Sequence, residues 1–393
     1  MVESLLSERL EGLLAQDIEA TRNHERDYLL ARLSCNWRES LVLFGASKLG
    51  LRVLAGLRKL GIQPVAFVDN DSSKWNDNLG GVPILSPSGA VAKLGLGASF
   101  VVCVWHSQSI MQQLAVMGCK STVEFKALFW HFFAEFLPNM RVDRPHLLLQ
   151  EAKSVLAAFK ILSDEASKAE FVSQIDWLLQ YDFGRLDAKD YARQYFEPDL
   201  FAEHPSEIFV DCGAYTGDTI REYLSRYRLP KEIHAFEPDP DNREDLVRWH
   251  REQRESLRRR VVIHPYAASS HPAFLRFSAD GVGSAVDDQG SLEVEARPLD
   301  EVLYDKMVTF VKMDIEGGEP DAIQGAARLI ARARPVLAVC LYHRQEHLYS
   351  IPNQLRSIAE GYRFFIRRYG DEFGDLVCYA VPQERALAPL SHV

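Results

Sequence analysis

Two groups of residues carry chemistry in this chain. The first is Asp211-Cys212-Gly213-Ala214-Tyr215-Thr216-Gly217, which follows the apolar run Ile208-Phe209-Val210, together with Glu237, 20 residues after Gly217. Gly213 removes a Cβ that would keep a ligand from the backbone, and Gly217 lets a helix begin close to the strand. Such turns are common, so the glycines alone weigh little. Glu237-Pro238 ends the next apolar stretch, Glu232 to Phe236, where a carboxylate suits both hydroxyls of a ribose. No extended glycine-rich cradle and no Lys-Ser/Thr follows the second glycine, which favours an adenosyl compound over a nucleoside triphosphate. The second group is Lys312, Asp314, Glu316 and Glu319, with Tyr342-His343-Arg344 after the following apolar run. Three carboxylates within six residues are costly to crowd without a cationic or hydrogen-bonding task. Asp314 and His343 are the candidate bases, His343 because an imidazole titrates near neutrality. Asp314 is better placed to orient an acceptor or hold a cation, and Lys312 shares its strand face by the two-residue period. Glu316 and Glu319 equally suit capping a helix that opens at Pro320. Asp314, Glu316 and Glu319 are hard oxygen donors that would suit magnesium, and no Cys or His spacing suits zinc; no metal ligand is assigned.

These residues need strands to hold them. Parallel strands are expected at Ile208 to Asp211, Glu232 to Phe236, Val261 to His264, Val308 to Asp314 and Pro335 to Leu341, separated by helical stretches. In an open parallel sheet, ligands bind beyond the carboxyl ends of the strands, so Asp211, Glu237, Asp314 and His343 should converge on one crevice. Ala267, among the small residues after His264, leaves room for an adenine ring. Strands at Phe274 to Ser278 and Ser291 to Arg297 should flank Gly281-Val282-Gly283-Ser284, and a hairpin should join Tyr362 to Arg368 with Leu376 to Val381. A parallel sheet closed by such a hairpin is the architecture of adenosylmethionine-dependent methyltransferases.

The same strand, turn and helix occurs earlier. Leu41 to Phe44 reads as a buried strand, Gly45 to Gly50 as the turn, Leu51 to Leu60 as the helix, and Pro64 to Val68 as a strand ending at Asp69, 19 residues after Gly50. Ser47 replaces the middle glycine of Gly-x-Gly-x-x-Gly, which makes close approach of a pyrophosphate less comfortable. A third strand is expected at Ser99 to Trp105. Through Phe67-Val68-Asp69-Asn70 and Gly80-Gly81-Val82-Pro83-Ile84-Leu85, the segment resembles the small Rossmann-like domain at the N-terminus of sugar acetyltransferases of the sialic-acid and bacillosamine type. Ahead of it, Ser4 to Leu33 has apolar residues at helical spacing; behind it, Glu124 to about Phe201 reads as helical. The aromatic run Phe125 to Phe136 either packs between domains or faces another subunit, and His131 within it suits a core or interface position. The expected organisation is therefore 1–35 N-terminal helices, 36–123 Rossmann-like domain, 124–200 helical connector and 201–393 catalytic domain.

With 45 basic and 55 acidic residues among 393 the net charge is −10, which argues against nucleic acid or an anionic membrane surface as a partner. Arginines between Arg251 and Arg260 alternate with glutamates, as on a solvated helix face. The six cysteines are scattered, no apolar run reaches a membrane span, and Met1-Val2-Glu3-Ser4 lacks the regions of a signal peptide, so a reducing, cytoplasmic setting is expected.

From about residue 200 to 382 the chain resembles the FkbM family of methyltransferases. The likeness is carried by Asp211 to Thr219, Phe236-Glu237-Pro238, Leu299-Asp300, Lys312 to Glu319, Tyr342-His343, Ile351-Pro352 and Gly361-Tyr362-Arg363-Phe364. The family usually has alanine where Gly318 stands. The resemblance implies an α/β fold with a class I methyltransferase-type doubly wound sheet and antiparallel hairpin, beside the smaller Rossmann-like domain. It implies S-adenosylmethionine as cofactor and a hydroxyl of a saccharide or natural product as acceptor. Asp211, Gly213, Ala214, Tyr215, Gly217, Glu237, Pro238 and Ala267 would then meet the cofactor, with Asp314, His343 and Lys312 catalytic. A homo-oligomer stays open. Two rival readings are a nucleotide-binding scaffold of two Rossmann-like units without chemistry, and a nicotinamide-dependent oxidoreductase using Gly45 to Gly50 and Asp69. The crowd at Asp314, Glu316, Glu319 and His343 argues against the scaffold, and the lack of a Tyr-x-x-x-Lys pair argues against the oxidoreductase.

Overall fold

The computed structural model describes residues 2–180, 191–278, 285–286, 292–370 and 375–387. The chain divides into two units: residues 9–152 with 173–187, and residues 1–8, 153–172 and 188–393. Among the described residues no helix is long and apolar enough to cross a membrane.

The first unit is built on a six-stranded sheet in the order Asn78–Leu79, Val82–Leu85, Ala66–Val68, Leu41–Phe44, Ser99–Val102, Thr122–Glu124. All neighbours run parallel except the two-residue edge strand Asn78–Leu79. Leu41–Phe44 is buried on both faces, as an apolar run flanked by helices must be. The helix Lys48–Lys59 starts sooner than the spacing predicts because Ser47, in extended backbone, caps it: its Oγ accepts from Gly50 N at 3.4 Å. The aromatic run, in a region expected to be helical, forms two helices, Phe125–His131 and Phe133–Phe136, with a break at Phe132.

The second unit holds a seven-stranded sheet in the order Tyr362–Arg368, Leu376–Pro382, Val336–Cys340, Phe310–Met313, Ile208–Cys212, Glu232–Phe236, Val261–His264. Five strands are parallel; Leu376–Pro382 runs antiparallel to both of its neighbours, as the hairpin reading expects. The chain starts the sheet in its middle at Ile208–Cys212, builds outward to Val261–His264, then crosses back to Phe310–Met313. The order thus reverses between those two central strands, which opens a crevice at their carboxyl ends. Phe196, Phe209, Tyr223 and Phe310 pack together in the core, Phe209 stacked on Tyr223 and the other pairs edge-on or tilted, with ring centroids 5.3–6.1 Å apart. Ala273–Ser278 and Leu292–Arg297 pair antiparallel in a small separate sheet with Ala267–Ala268 and Ala285–Val286. The predicted turn Gly281 to Ser284 lies outside the described residues. Asp164 caps the helix Glu165–Gln180, accepting from Ser167 N at 2.8 Å, and the division between the units falls within that helix.

Candidate active site

A cavity of about 590 Å³ lies at the carboxyl ends of the central strands of the second unit. Of the sequence-derived candidates, Gly213, Tyr215, Glu237, Pro238, Ala267, Lys312 and Asp314 line it, whereas Asp211, Ala214, Gly217 and His343 do not.

The first turn positions the cofactor-facing candidates. Gly213 has φ +79°, and a Cβ there would lie 1.9 Å from the carbonyl oxygen of Asp314. Its glycine therefore answers first to the neighbouring strand, and only then to a ligand. Gly217, at φ +88°, begins the helix Asp218–Arg226 with its Cβ position 2.8 Å from Leu246 Cδ1, so the close approach is to the helix Pro240–Glu252 rather than to the strand as expected. Tyr215 between them takes a positive φ of 47°, and its N–H donates to Glu237 Oε2 at 2.7 Å. Asp239 N–H donates to Oε1 at 2.9 Å. Two backbone donors thus fix the Glu237 carboxylate at the cavity wall, and each oxygen keeps a further acceptor site. Burial nevertheless pushes this carboxyl up to about 7, those two N–H groups opposing the rise.

Asp211 is fully buried and forms an ion pair with Lys312 Nζ at 3.0 Å. Burial lifts its carboxyl to about 6, with Lys312 pulling the other way. Lys312 also donates to the carbonyl of Gly213 at 2.8 Å. Burial works against its charge, but Asp211 and Asp314 outweigh it and raise its pKa. Lys312 therefore holds a permanent positive charge between two carboxylates and the turn carbonyl.

On the other side, Asp314 accepts from the hydroxyls of Tyr342 (Oδ1, 2.8 Å) and Tyr195 (Oδ2, 2.9 Å). Burial would raise its pKa, but His343, Lys312 and the Tyr342 hydroxyl together hold it far below the usual carboxylate range. Glu316, in left-handed backbone at φ +55°, also faces the cavity. Burial pushes its carboxyl up to about 7, against the pull of His343. His343 sits behind these two: Nε2 lies 3.3 Å from Asp314 Oδ1 and 3.6 Å from Glu316 Oε2, and Nδ1 lies 2.8 Å from Glu319 Oε1. Burial disfavours its charge, but Glu319 and Asp314 raise its pKa well above the ordinary histidine value. The expectation of an imidazole titrating near neutrality thus meets a ring enclosed by carboxylates, away from the cavity wall. Glu319 is wholly buried rather than a solvent-facing helix cap, and accepts from Ile315 N at 2.9 Å.

Several wall residues had no motif to announce them. Tyr195 comes from a segment expected to be connector, and Gln194 and Asp375 from chain far from either motif. Tyr266 and Arg344 each adjoin a singled-out residue, Ala267 and His343, and that adjacency was the available signal. A Cβ at Gly318 would make only ordinary contacts, 3.4 Å to Ile315, so an alanine there fits without rearrangement.

Residues 211–373 match the family model described as the methyltransferase FkbM domain, which spans both groups of motif residues. The chain is similar over 94% of its length to the crystal structure of methyltransferase FkbM from Methylobacillus flagellatus KT, all of which is covered, at 20% identity and a TM-score of 0.71. Weaker likenesses include an rRNA methylase from Streptococcus thermophilus (10% identity, 45% of this chain and 88% of that one, TM-score 0.31). Another is a methyltransferase from Geobacter sulfurreducens (14% identity, 58% and 89%, TM-score 0.29). No curated protein matches the chain. The family-model match falls within the second unit, and the likeness to the solved methyltransferase structure is one of fold.

Proposed function

We propose that the second unit transfers a methyl group from S-adenosylmethionine to a hydroxyl of a saccharide or natural-product acceptor. The observation that carries this reading is one cavity with two unlike walls: Gly213, Tyr215, Glu237, Pro238 and Ala267 on one side, Asp314, Glu316, Tyr342 and Arg344 on the other. Its volume of about 590 Å³ lies within the range of sites that enclose a cofactor-sized molecule. The Glu237 carboxylate, fixed by two N–H groups and still able to accept, suits a ribose, and the small residues Ala267 and Ala268 suit a flat base.

Bound there, S-adenosylmethionine supplies a methyl group that is already electrophilic. The protein must then orient the acceptor oxygen and remove its proton. Asp314, held by two tyrosine hydroxyls, is an orienting group: it can accept from the acceptor or from a neighbouring hydroxyl without turning. Glu316 faces the same space and is the group assigned to take the proton as the oxygen–carbon bond forms. Lys312 stabilises the negative charge of Asp314 and anchors the Gly213 carbonyl, a positioning role. His343 balances the carboxylates from behind. A wall of carboxylates, phenols and an arginine favours an acceptor rich in hydroxyls over an apolar one.

The test is calorimetric titration of S-adenosylmethionine into the chain and into Glu237→Gln. Tritiated-methyl transfer to a panel of nucleotide-sugars, oligosaccharides and polyketides follows it. Binding that Glu237→Gln leaves untouched, or label that reaches nitrogen rather than oxygen, would contradict the proposal.

A further inference from the structure

We propose that Asp314, Glu319 and His343 hold a divalent metal cation of the manganese or magnesium kind, on the acceptor side of the cavity. Each offers one ligand atom, and these atoms lie within 4.8 Å of one another. Asp314 directly follows the strand Phe310–Met313, Glu319 opens the helix Glu319–Gln324, and His343 lies three residues beyond the strand Val336–Cys340. The strand end and the helix start fix Asp314 and Glu319, and His343 Nδ1 stands 2.8 Å from Glu319 Oε1.

An independent sign is that the buried polar atoms are not satisfied by one another. His343 and Glu319 are 4% and 0% exposed, yet His343 Nδ1, His343 Nε2 and Glu319 Oε2 lack hydrogen-bond partners. Carboxylate oxygens stand 2.8 to 3.6 Å from the ring nitrogens but off the N–H directions. Orphaned buried polar atoms cost about 1–3 kcal/mol each, so a native structure needs a reason for them. Lone pairs gathered about a shared point, rather than paired off, are what a cation requires. Charge argues the same way. Asp314, Glu316 and Glu319 crowd one histidine, while the Lys312 ammonium is shared with Asp211 at 3.0 Å. Two positive charges at that point relieve the excess.

The surroundings fit a ligand set. Tyr195 and Tyr342 hydroxyls fix Asp314, and the Ile315 N–H fixes Glu319, the outer contacts that orient metal ligands. Two carboxylates with one imidazole suit manganese and, less strongly, magnesium; no thiolate takes part. Because Asp314 also lines the cavity, the cation would have a side open to the acceptor hydroxyl and would lower its pKa, which rests on the methyl-transfer reading. Binding of the cation does not rest on it.

The experiment strips the full chain with a chelator and titrates Mn²⁺, following loss of the free-ion paramagnetic resonance signal. Saturable uptake of a single ion per chain, competed by Mg²⁺, is expected. His343→Gln and Asp314→Asn should each weaken it at least about tenfold, while Glu232→Gln, in a separate His–Glu cluster, leaves it unchanged. Asp314 is partly exposed at the cavity wall, so Asp314→Asn keeps the test alive if a buried variant does not fold. Absence of uptake, or uptake that folded Asp314→Asn retains in full, overturns the site. S-adenosylmethionine titrated into the same stripped chain reports separately on the methyl-transfer reading.

Discussion

The two units repeat one design and differ in what they do with it. Each begins with a buried central strand, turns at a glycine with positive φ, and brings an acid to the end of the next strand. In the first unit Asp69 is met by its own chain: it accepts from Ala46 N and Asp71 N at 2.9 Å each, and pairs with Lys74 at 3.0 Å. Lys74 also donates to the Ala46 carbonyl at 3.2 Å, so a cation from the chain stands beside the turn. In the second unit Glu237 receives two N–H groups and faces a cavity. The glycines do the same work in both places. A Cβ at Gly45 would lie 2.8 Å from the Cys103 carbonyl, and one at Gly213 would lie 1.9 Å from that of Asp314. Glycine at this turn thus reports that two strand ends crowd together. Chemistry is reported by what stands on the neighbouring strand ends: Cys103-Val104-Trp105 in one unit, Asp314-Ile315-Glu316 in the other.

The sharpest way to break this contrast is to remove one acid from each unit. Glu316→Gln should lower methyl-transfer turnover by about 10²–10⁴-fold, the usual worth of a positioned base, with cofactor affinity unchanged. Asp69→Asn should leave turnover as it is. Equal effects in single-turnover assays would mean that the contrast is wrong. Next in size is the steric claim. Gly213→Ala forces both a left-handed alanine and a clash with backbone, and should destabilise the second unit by about 3 kcal/mol or more, read as a lower urea midpoint. Gly45→Ala, with a looser contact, should cost less; the reverse ranking would show that strand crowding is not what these glycines answer to.

Most of the sheet was legible because parallel strands buried on both faces write themselves as apolar runs. Ile208–Cys212, Glu232–Phe236 and Val261–His264 fall within a residue of their expected bounds, and the closing hairpin is where the pattern put it. The cavity wall was legible where strand ends build it, as at Glu237 and Asp314. It was illegible where a side chain's partner is remote in sequence. Tyr195 bonds to Asp314 119 residues away, and no local pattern encodes that. The surroundings of His343 were illegible for a related reason. Its pKa depends on Glu319 and Asp314 closing around it, which spacing alone does not reveal. The break at Phe132 was hidden because aromatic residues read alike in a long helix and in two short ones.

A smaller effect sharpens the contrast through pH. The Glu237 carboxyl, raised by burial to about 7, must be ionised to accept both hydroxyls in the proposed ribose contact. S-adenosylmethionine affinity should therefore rise through neutrality, by about tenfold between pH 6 and pH 8, and Glu237→Gln should be weaker by about 10–100-fold and flat with pH. The stability of the empty protein moves the other way. A carboxyl whose folded pKa is raised contributes stability below about pH 4.3, the unfolded value, and loses it as pH climbs toward 7. Affinity that falls as pH rises would remove Glu237 from the ribose.

The smallest effect separates the units by acid stability. On the outer strand of the second sheet, His264 stacks on Phe236 at 4.4 Å between ring centroids, and its Nε2 lies 3.0 Å from His234 Nδ1. Burial, then His234, pulls the His264 pKa down to about 4; burial also lowers His234, though Glu232 opposes it. The corresponding strand of the first sheet, Val82-Pro83-Ile84-Leu85, carries no ionisable side chain. A histidine neutral in the folded protein and charged when unfolded contributes its full stability above about pH 6.5, and that contribution is lost as pH falls toward 4. With the ring edge partly open to water, the loss should be about 1 kcal/mol. His264→Phe keeps the stacking and removes the proton, so urea unfolding should become flatter between pH 6.5 and 4. The wild-type loss should appear in the transition assigned to the second unit. A slope that persists in the variant would place the acid sensitivity elsewhere and leave these two strands equivalent.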